Sequence, residues 1–383
     1  MQPFFFDTDQ HLTEPPDFWS GRFSKKHADL APTFMHHPEL GPGWSWDGGK
    51  TVRPMGVQSV GSEDPRKIGN FKSFEDLDPG CYDAKERIAV MDIDGAKACL
   101  IFPSGVNFFH GLPDPDFYVE CASVYNDAAM DWAKEGDANR IHPAAVIPIN
   151  TLESGVKELK RVVDKGFKHY IINRWPSAGE VPLPEDDPWW DLVQETGIVV
   201  DLHGFGRGRP EAIAAPQLAA GGKQLKGMAQ IGFPQELVAA SRGAGLGISG
   251  PLVGLIMTGV LDRFPDLKLA LIETSLGWMP YLAEQMDNIW LRHRWLSDET
   301  KLSRMPSEYL RSSIYANFDR EYLGVNYREF IGVDKILFGT DFPHIGSFYP
   351  HSRFFLQLVM RGVPEKEQEM MLWSNAASLY GVN

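Results

Sequence analysis

Short apolar runs recur along the chain, and segments with the spacing of amphipathic helices lie between them. The runs are rich in β-branched and aromatic residues, which is typical of strands buried on both faces. Eight strands are predicted: Phe4–Asp9, Ala96–Phe102, Pro143–Ile149, His169–Asn173, Ile198–His203, Leu267–Glu273, Ile314–Phe318 and Lys335–Asp341. Helices are predicted over Asp83–Asp92, Asp116–Glu135, Leu152–Asp164, Asp187–Glu195, Gly250–Phe264, Met279–Arg294 and Glu365–Gly381. This α/β alternation favours eight parallel βαβ units closed into a (β/α)8 TIM barrel, with a doubly wound open sheet as the alternative.

Two long segments interrupt the alternation: Pro15–Pro79 after strand one and Gly204–Gly247 after strand five. Loops of this length are unusual in a compact domain and are often functional. Both leave from the carboxyl ends of strands, which is the side where a barrel carries its active site. We therefore expect a single domain over residues 1–383, in which segments 15–79 and 204–247 form lid or dimer elements.

Four polar residues fall at the ends of apolar runs, namely Asp9, His11, His203 and Asp341. Positions i and i+2 of an extended chain point the same way, so Asp9 and His11 can hold one ion from a single strand end. Strands one and eight are neighbours in a closed barrel, which brings Asp341 beside them. Two imidazoles and two carboxylates are a plausible ligand set for zinc, manganese or iron. The pattern predicts one divalent-metal site at the carboxyl edge of the barrel.

Three further polar residues are candidates for contacts with a substrate, and each has an ordinary structural alternative. Arg174 follows strand four and could bind a carboxylate or form a surface ion pair. His110 follows strand two and could line the pocket. His344 could orient Asp341, contact substrate or cap the next segment. Aromatic residues of the insertions could wall the site or pack within their loops; these are Trp44, Trp46 and Phe205.

Composition narrows the class of partner. The 383 residues carry a formal net charge of -14, which argues against a nucleic acid and leaves a small-molecule substrate as the expected partner. Three cysteines are too few for a disulfide framework. The N-terminus lacks the pattern of a signal peptide, and no window of about 18 apolar residues predicts a membrane span. These features favour a cytoplasmic protein.

The chain resembles the amidohydrolase-related enzymes of the aminocarboxymuconate-semialdehyde decarboxylase type. The resemblance rests on motifs spread over nearly the whole chain outside the two insertions. They are Asp7-Thr8-Asp9-Gln10-His11-Leu12-Thr13-Glu14-Pro15, Tyr125-Asn126-Asp127, Asp201-Leu202-His203, Phe264-Pro265-Asp266-Leu267-Lys268, Glu273, Gly277-Trp278-Met279-Pro280, Gly339-Thr340-Asp341-Phe342-Pro343-His344 and Asn375-Ala376-Ala377-Ser378-Leu379-Tyr380. The resemblance implies a distorted (β/α)8 barrel that holds one divalent metal, Zn2+ first and Mn2+ second, and assembles as a homodimer. It also implies decarboxylation of small aromatic or unsaturated acids, or hydrolysis of C–N or C–O bonds.

The choice between these two reactions rests on Glu273. The decarboxylases that resemble this chain carry a histidine at the end of strand six, where this chain has Glu273. A glutamate beside a metal can hold and deprotonate water, and it could instead be a metal ligand or a structural acceptor for backbone N–H groups. We therefore predict hydrolysis of a small cyclic or aromatic acid or amide, with Asp341, Glu273 and His344 as the catalytic residues. Decarboxylation of a small aromatic or unsaturated acid and a non-catalytic, ligand-binding barrel are the alternatives.

Overall fold

The structure, a computed structural model, describes residues 3–37, 41–46, 53–54, 73–104, 112, 114–204, 243–296, 302–344 and 346–382. Its strands, numbered in chain order, are β1 Phe5–Leu12, β2 Thr33–His37, β3 Gly41–Ser45, β4 Arg53–Pro54, β5 Ala96–Pro103, β6 Ile141–Pro143, β7 Ala145–Val146, β8 His169–Ile172, β9 Val199–Leu202, β10 Leu269–Leu271, β11 Ile314–Phe318 and β12 Ile336–Phe338. The predicted α/β barrel is confirmed, since each of the eight predicted strands overlaps an observed strand.

The strands of the barrel wall are paired in parallel. Strands β1, β5 and β6 form one parallel sheet, and β7 to β12 form a second in chain order. A single residue, Ala144, separates β6 from β7, and its N–H donates to the carbonyl of Ile101 at 2.8 Å, so the two pieces act as one barrel strand. The third sheet, β2-β3-β4, is antiparallel and lies within the first insertion.

Backbone hydrogen bonds just beyond β12 close the ring between the first and last strands. The N–H of Asp341 donates to the carbonyl of Asp9 at 2.8 Å, and the N–H of His11 donates to the carbonyl of Phe342 at 2.6 Å. A parallel bridge joins Gln10 to Phe342. The barrel is therefore closed at the point where two of the predicted metal ligands leave their strands.

Helices fill the connections between the barrel strands. They are α1 Ala84–Asp94, α2 Pro115–Glu135, α3 Leu152–Asp164, α4 Asp187–Thr196, α5 Gly243–Met257, α6 Val260–Arg263, α7 Met279–His293, α8 Pro306–Ser313, α9 Leu323–Asn326, α10 Arg328–Ile331, α11 Ser352–Val359, α12 Glu365–Glu369 and α13 Asn375–Tyr380. Asp83 caps α1 by accepting the N–H groups of Lys85 and Glu86, and Gly95 ends that helix in a left-handed conformation. Within the described ranges, no helix has the length and apolar character needed to cross a bilayer.

Six of the seven predicted helices differ from the observed ones in their bounds, four of them by only one or two residues. The helix predicted over Gly250–Phe264 is two helices, because Gly259 has φ +73° and interrupts the helical turn between α5 and α6. The helix predicted over Glu365–Gly381 contains a π-helical turn at Met370–Ser374 between α12 and α13. The predicted helix Met279–Arg294 ends at His293 as α7. Helices α8 to α11 lie in segments for which the sequence predicted none.

The described part of the first insertion packs against the barrel through aromatic side chains. The ring of Phe34 on β2 lies 5.2 Å from that of Trp44 and 5.4 Å from that of Phe74. Phe74 shares a small apolar cluster with Val90 on α1 and with Phe342, the residue after Asp341. The insertion therefore contacts the loop that follows β12. Of the second insertion, the structure describes residue 204 and, from 243 onward, the start of α5.

The barrel interior is unusual in the polarity of its first strand. All eight residues of β1 are buried, and five consecutive ones, Asp7 to His11, are polar. Buried polar groups are costly unless they find partners, so such a run needs a dedicated network. The same strand contributes Phe5, Phe6 and Leu12 to the main apolar cluster.

Gly339 provides a test of how tightly β12 is seated against β1. A Cβ at this position would stand 2.5 Å from Nδ2 of Asn317 and 2.6 Å from Cβ of Asp9. We expect Gly339→Ala to lower the free energy of unfolding by roughly 1–3 kcal/mol, because the two strands must move apart. Urea denaturation measures this. Gly247→Ala on α5 is the control, since its Cβ would meet open space; equal stability of the two variants would contradict the packing described here.

Candidate metal centre and active site

Strand β1 brings the first two predicted ligands to the carboxyl edge of the barrel. The pairing of β1 with β5 shifts register between Asp7 and Gln10, so the strand is irregular where Asp9 lies. Oδ1 of Asp9 lies 3.5 Å from Nε2 of His11, and both side chains are buried. The side chains of Asp9 and His11 are therefore close together, as expected for positions i and i+2 of a strand.

Asp9 has the environment of a carboxylate that lacks a counter-charge. Neither of its carboxylate oxygens has a hydrogen-bond partner among the described residues, although the side chain is fully buried. Burial raises the pKa of Asp9 well above its usual range, and the negative charges of Asp341 and Glu273 raise it further. A buried, unsatisfied carboxylate is destabilising, and a bound cation would remove that cost.

His203 and Glu273 enter from two neighbouring strands. His203 follows β9 and Glu273 follows β10, and Nε2 of His203 lies 3.2 Å from Oε2 of Glu273. The ring of His203 lies 5.0 Å from that of His11. One ligand atom each from Asp9, His11 and His203 lie within 4.8 Å of one another, which is the separation expected of donors around one ion.

Asp341 joins the same group from the other side of the barrel closure. Its Oδ1 lies 3.6 Å from Nε2 of His11 and 2.6 Å from Nδ1 of His344. Its Oδ2 accepts a hydrogen bond from Nη1 of Arg320 at 3.3 Å. Burial raises the pKa of Asp341, while the charge and hydrogen bond of His344 lower it. A second potential ligand group, formed by His11, Asp341 and His344, therefore overlaps the first.

Two of these residues have backbone conformations that are rare outside glycine. Glu273 has φ +58° and Asp341 has φ +59°, and both come just after a barrel strand. Such a conformation costs about 1–3 kcal/mol for a residue with a side chain and is concentrated at functional sites. The left-handed turn redirects each side chain at the strand end, toward His203 in one case and His11 in the other.

Asp7 fixes the positions of the ligand-bearing segments relative to one another. Its carboxylate accepts hydrogen bonds from the N–H of Thr340 at 2.8 Å, the hydroxyl of Thr340 at 2.6 Å, the amide of Gln10 at 2.7 Å and the N–H of Asp9 at 3.2 Å. Burial raises the pKa of Asp7 to about 7, and these hydrogen bonds oppose the rise. One buried carboxylate thus ties β1 to the residue that precedes Asp341.

Arg87 supports this arrangement from helix α1. Its buried guanidinium donates to Oε1 of Gln10 at 3.0 Å and to the carbonyl of His11 at 2.7 Å. It also donates to the carbonyls of Gly80 at 2.6 Å and Cys81 at 3.3 Å, at the end of the first insertion. Arg87 therefore binds both the backbone of His11, a candidate ligand, and the backbone that directly follows the first insertion.

A second buried network lies inside the barrel near His203. Asp201, two residues before it, contacts Nδ1 of His169 and accepts a hydrogen bond from the hydroxyl of Tyr380 at 2.9 Å. The ring of Phe102 lies 4.5 Å from that of His203 and 5.5 Å from that of His169, between the two groups. This network satisfies buried polar groups beside the candidate metal ligands.

The remaining predicted residues are less closely connected to this group. Arg174 is half-buried two residues after β8, and its positive charge acts on Tyr118, whose pKa is raised by burial. His110 and Phe205 lie outside the described residues. Trp44 is buried on β3, and Trp46 packs against the main apolar cluster. The roles assigned to Arg174 and His110 stay predictions.

Sequence reasoning missed two residues after β11. Asp319 and Arg320 directly follow Phe318, the last residue of that strand. Nη2 of Arg320 lies 2.6 Å from Oδ2 of Asp319, and Ser275 donates to Oδ1 of Asp319 at 3.0 Å. The rule that identified Asp341, a polar residue at the end of an apolar strand, applies equally to this pair.

Comparison with known proteins identifies the family. The sequence matches the family model described as amidohydrolase over residues 6–382. The chain belongs to the amidohydrolase family. This confirms the family resemblance inferred from the sequence motifs.

Relatives of this amidohydrolase include aromatic-acid decarboxylases. Gamma-resorcylate decarboxylase of Polaromonas sp. (strain JS666 / ATCC BAA-500) is 24% identical over 332 residues, which cover 82% of this chain and 92% of that protein. An amidohydrolase structure from Mycobacterium avium subsp. paratuberculosis K-10 superposes with a TM-score of 0.74 at 20% identity, over 100% of this chain and 99% of that one. The structure of dihydroxybenzoic acid decarboxylase from Polaromonas sp. JS666, with bound manganese and the inhibitor 2-nitroresorcinol, gives a TM-score of 0.61 at 19% identity, over 85% and 92%.

These comparisons correct the preference for hydrolysis that was drawn from Glu273. The curated relative is a decarboxylase, so the decarboxylase alternative fits the comparisons better than hydrolysis does. The physical reason for the error is that a glutamate can donate a proton as well as accept one, depending on its pKa. The residue type alone therefore did not distinguish the two reactions.

The unsatisfied carboxylate of Asp9 provides a prediction about stability. In metal-free protein, Asp9→Asn should raise the melting temperature at pH 8 and raise it less at pH 5. A carboxyl whose pKa is raised by folding destabilises the folded state increasingly as pH rises above the unfolded value, and the amide removes that charge. Thermal unfolding in the presence of a chelator measures the effect.

Asp7→Asn is the matched control on the same strand. The carboxylate of Asp7 accepts four hydrogen bonds, so an amide there would set its NH2 group against a donor and lower the melting temperature. If Asp9→Asn destabilised the metal-free protein as much as Asp7→Asn, Asp9 would have a structural role instead of an uncompensated charge.

Proposed function

We propose that this protein is a divalent-metal-dependent enzyme that removes the carboxylate of a small hydroxylated aromatic acid without oxidation. The observation that carries the proposal is the convergence of Asp9, His11, His203 and Asp341 at the carboxyl edge of the barrel. The substrate class is taken from the gamma-resorcylate and dihydroxybenzoic acid decarboxylases to which the chain is similar.

The residues present fit one divalent ion. They offer two imidazoles and two carboxylates, and the buried oxygens of Asp9 have no hydrogen-bond partner among the described residues. When bound, the ion would act as a Lewis acid on a substrate oxygen. This donor set accommodates Zn2+ and Mn2+ alike, so Zn2+ stays a prediction beside the manganese of the Polaromonas enzyme.

Decarboxylation needs a proton donor, and we assign that role to Glu273. Breaking the bond between ring and carboxylate releases CO2 and leaves an electron pair on the ring carbon, which must take up a proton. The side chain of Glu273 is 19% exposed and lies at the rim of the group, beside His203. Asp341 is less suited to this transfer because its two oxygens are engaged by His344 and Arg320. In this assignment Asp341 is a ligand and His344 orients it.

The reaction itself is tested with a panel of two kinds of substrate. Metal-loaded protein is incubated with hydroxylated benzoic acids, including 2,6-dihydroxybenzoate, and separately with aromatic amides and cyclic amides or esters. We expect release of CO2 and of the corresponding phenol from one or more acids. Hydrolysis of the second group without CO2 release would overturn the proposal, and stoichiometric metal with no turnover of either group would favour the ligand-binding alternative.

Glu273→Gln tests the proton donor. We expect turnover to fall by about 10²–10⁴-fold with unchanged metal content, because the amide keeps the size of the side chain and loses its transferable proton. Glu284→Gln, on the exposed face of α7, is the matched control and should keep full activity. Unchanged turnover of Glu273→Gln would remove Glu273 from the mechanism.

Metal binding has its own measurement. Manganese or zinc added to metal-free protein should raise the melting temperature in proportion to binding, and Asp9→Asn should lose most of this rise. Elemental analysis of the purified protein should give about one ion per chain, because the two potential ligand groups share His11. The homodimer and the cytoplasmic location implied by the sequence stay predictions, and light scattering would test the first.

A further inference from the structure

We propose that Arg320 binds the carboxylate of the substrate and so selects acids over neutral aromatic compounds. The inference deepens the proposed function and rests on it for the class of ligand. It starts from a residue that the motif-based hypothesis leaves out, at the end of the strand that neighbours β12.

The guanidinium of Arg320 lies at the boundary between the buried ligand group and the surface. Its Nη1 lies 3.3 Å from Oδ2 of Asp341, and its Nη2 lies 2.6 Å from Oδ2 of Asp319. Both carboxylates are buried, with side chains 4% and 5% exposed, whereas the side chain of Arg320 is 36% exposed. The head group is therefore anchored from inside, while about a third of the side chain remains exposed.

Two of the five N–H groups are enough for these anchors, and a guanidinium can present the others to a further anion. A planar fork of donors matches the two oxygens of a carboxylate. The anchors fix the plane of the fork before a ligand arrives, which lowers the entropy lost on binding. Arg320 is thus a pre-oriented cation within contact distance of Asp341.

The carboxylates of the site would repel an anionic substrate, and Arg320 is placed to reduce that repulsion. Four carboxylates, those of Asp9, Glu273, Asp319 and Asp341, lie in or beside the site, and an anionic substrate must enter among them. An arginine guanidinium keeps its charge in proteins, and this one lies in contact with Asp319 and Asp341. It therefore offsets part of the repulsion that a substrate carboxylate would meet.

Gly346 leaves room for the guanidinium of Arg320. A Cβ built on Gly346, two residues after His344, would overlap Nη1 and Cζ of Arg320. The guanidinium thus occupies the place that a side chain at position 346 would take. Gly346→Ala would consequently displace the cation while leaving every charge of the site in place.

The test measures binding of an acid and of a phenol that lacks only the carboxylate. Dissociation constants for 2,6-dihydroxybenzoate and resorcinol are measured by calorimetry on manganese-loaded protein that carries Glu273→Gln, so that turnover does not disturb the titration. This background is combined with the wild-type residues at positions 320 and 346 and with Arg320→Met, Arg320→Lys and Gly346→Ala. We expect Arg320→Met to weaken binding of the acid about tenfold or more and to change resorcinol binding less than about threefold. Gly346→Ala should give the same selective loss, and Arg320→Lys should restore part of the affinity because it keeps the charge without the fork.

Control measurements separate recognition of the acid from effects through Asp341. Metal content and melting temperature are recorded for each variant, and Gly250→Ala, whose Cβ meets open space, serves as the glycine control. Equal losses for acid and phenol, or lost metal in both Arg320→Met and Gly346→Ala, would show that Arg320 acts by positioning Asp341 and would overturn the proposal. Unchanged binding of the acid, or no binding of the acid with the wild-type residues at positions 320 and 346, would overturn it as well.

Kinetics distinguish failure of this inference from failure of the proposed function. If wild type decarboxylates the acid, Arg320→Met should raise KM by about tenfold with a smaller change in kcat, because the contact is weaker once the charge leaves as CO2. If wild type binds the acid but releases no CO2, the proposed function fails. The selective loss of acid binding in Arg320→Met would still stand in that case.

Discussion

One buried carboxylate, that of Asp7, holds the closure of the barrel in register. It accepts donors from Asp9 and Gln10 on the first strand and from Thr340 after the last. A carboxylate buried without such bonds would be strongly unfavourable, so the folded state requires these donors to converge. Asp9, a candidate ligand, is itself one of these donors, and Asp341 directly follows Thr340 in the chain. The geometry of the metal-ligand group is therefore set by the same interaction that closes the barrel.

The sequence was sufficient to predict the barrel and most of the residues that meet at its edge. Asp9 and His11 lie in the carboxyl-terminal half of β1, whereas His203 and Asp341 follow β9 and β12. Parallel strands in a closed barrel bring their carboxyl ends together. The local pattern was strong because each apolar run ends abruptly at a charged or polar residue. The positive φ of Asp341 and Glu273 could not be read from the sequence, since it depends on contacts made after the barrel has closed.

Other features depended on interactions between distant segments and could not be predicted. The antiparallel strand β3 contains two glycines and a proline, which are depleted in strands, and the contact of Trp44 with Phe34 on β2 stabilises it. Arg320 follows a predicted strand and could have been noted, but its contact with Asp341, 21 residues further along the chain, depends on the fold. The function was the least predictable part, because a glutamate at position 273 is compatible with either direction of proton transfer.

The left-handed conformation of Glu273 has a consequence for how this enzyme can change. Histidine is enriched in that region of backbone space, whereas glutamate is not, so backbone preference alone would favour a histidine at this position. A glutamate in this conformation lowers the free energy of unfolding, which is small in any protein. A destabilising substitution elsewhere in the barrel would reduce what remains, and the residues tolerated at position 273 would become fewer. Changes in chemistry at this strand end are thereby linked to mutations far from it.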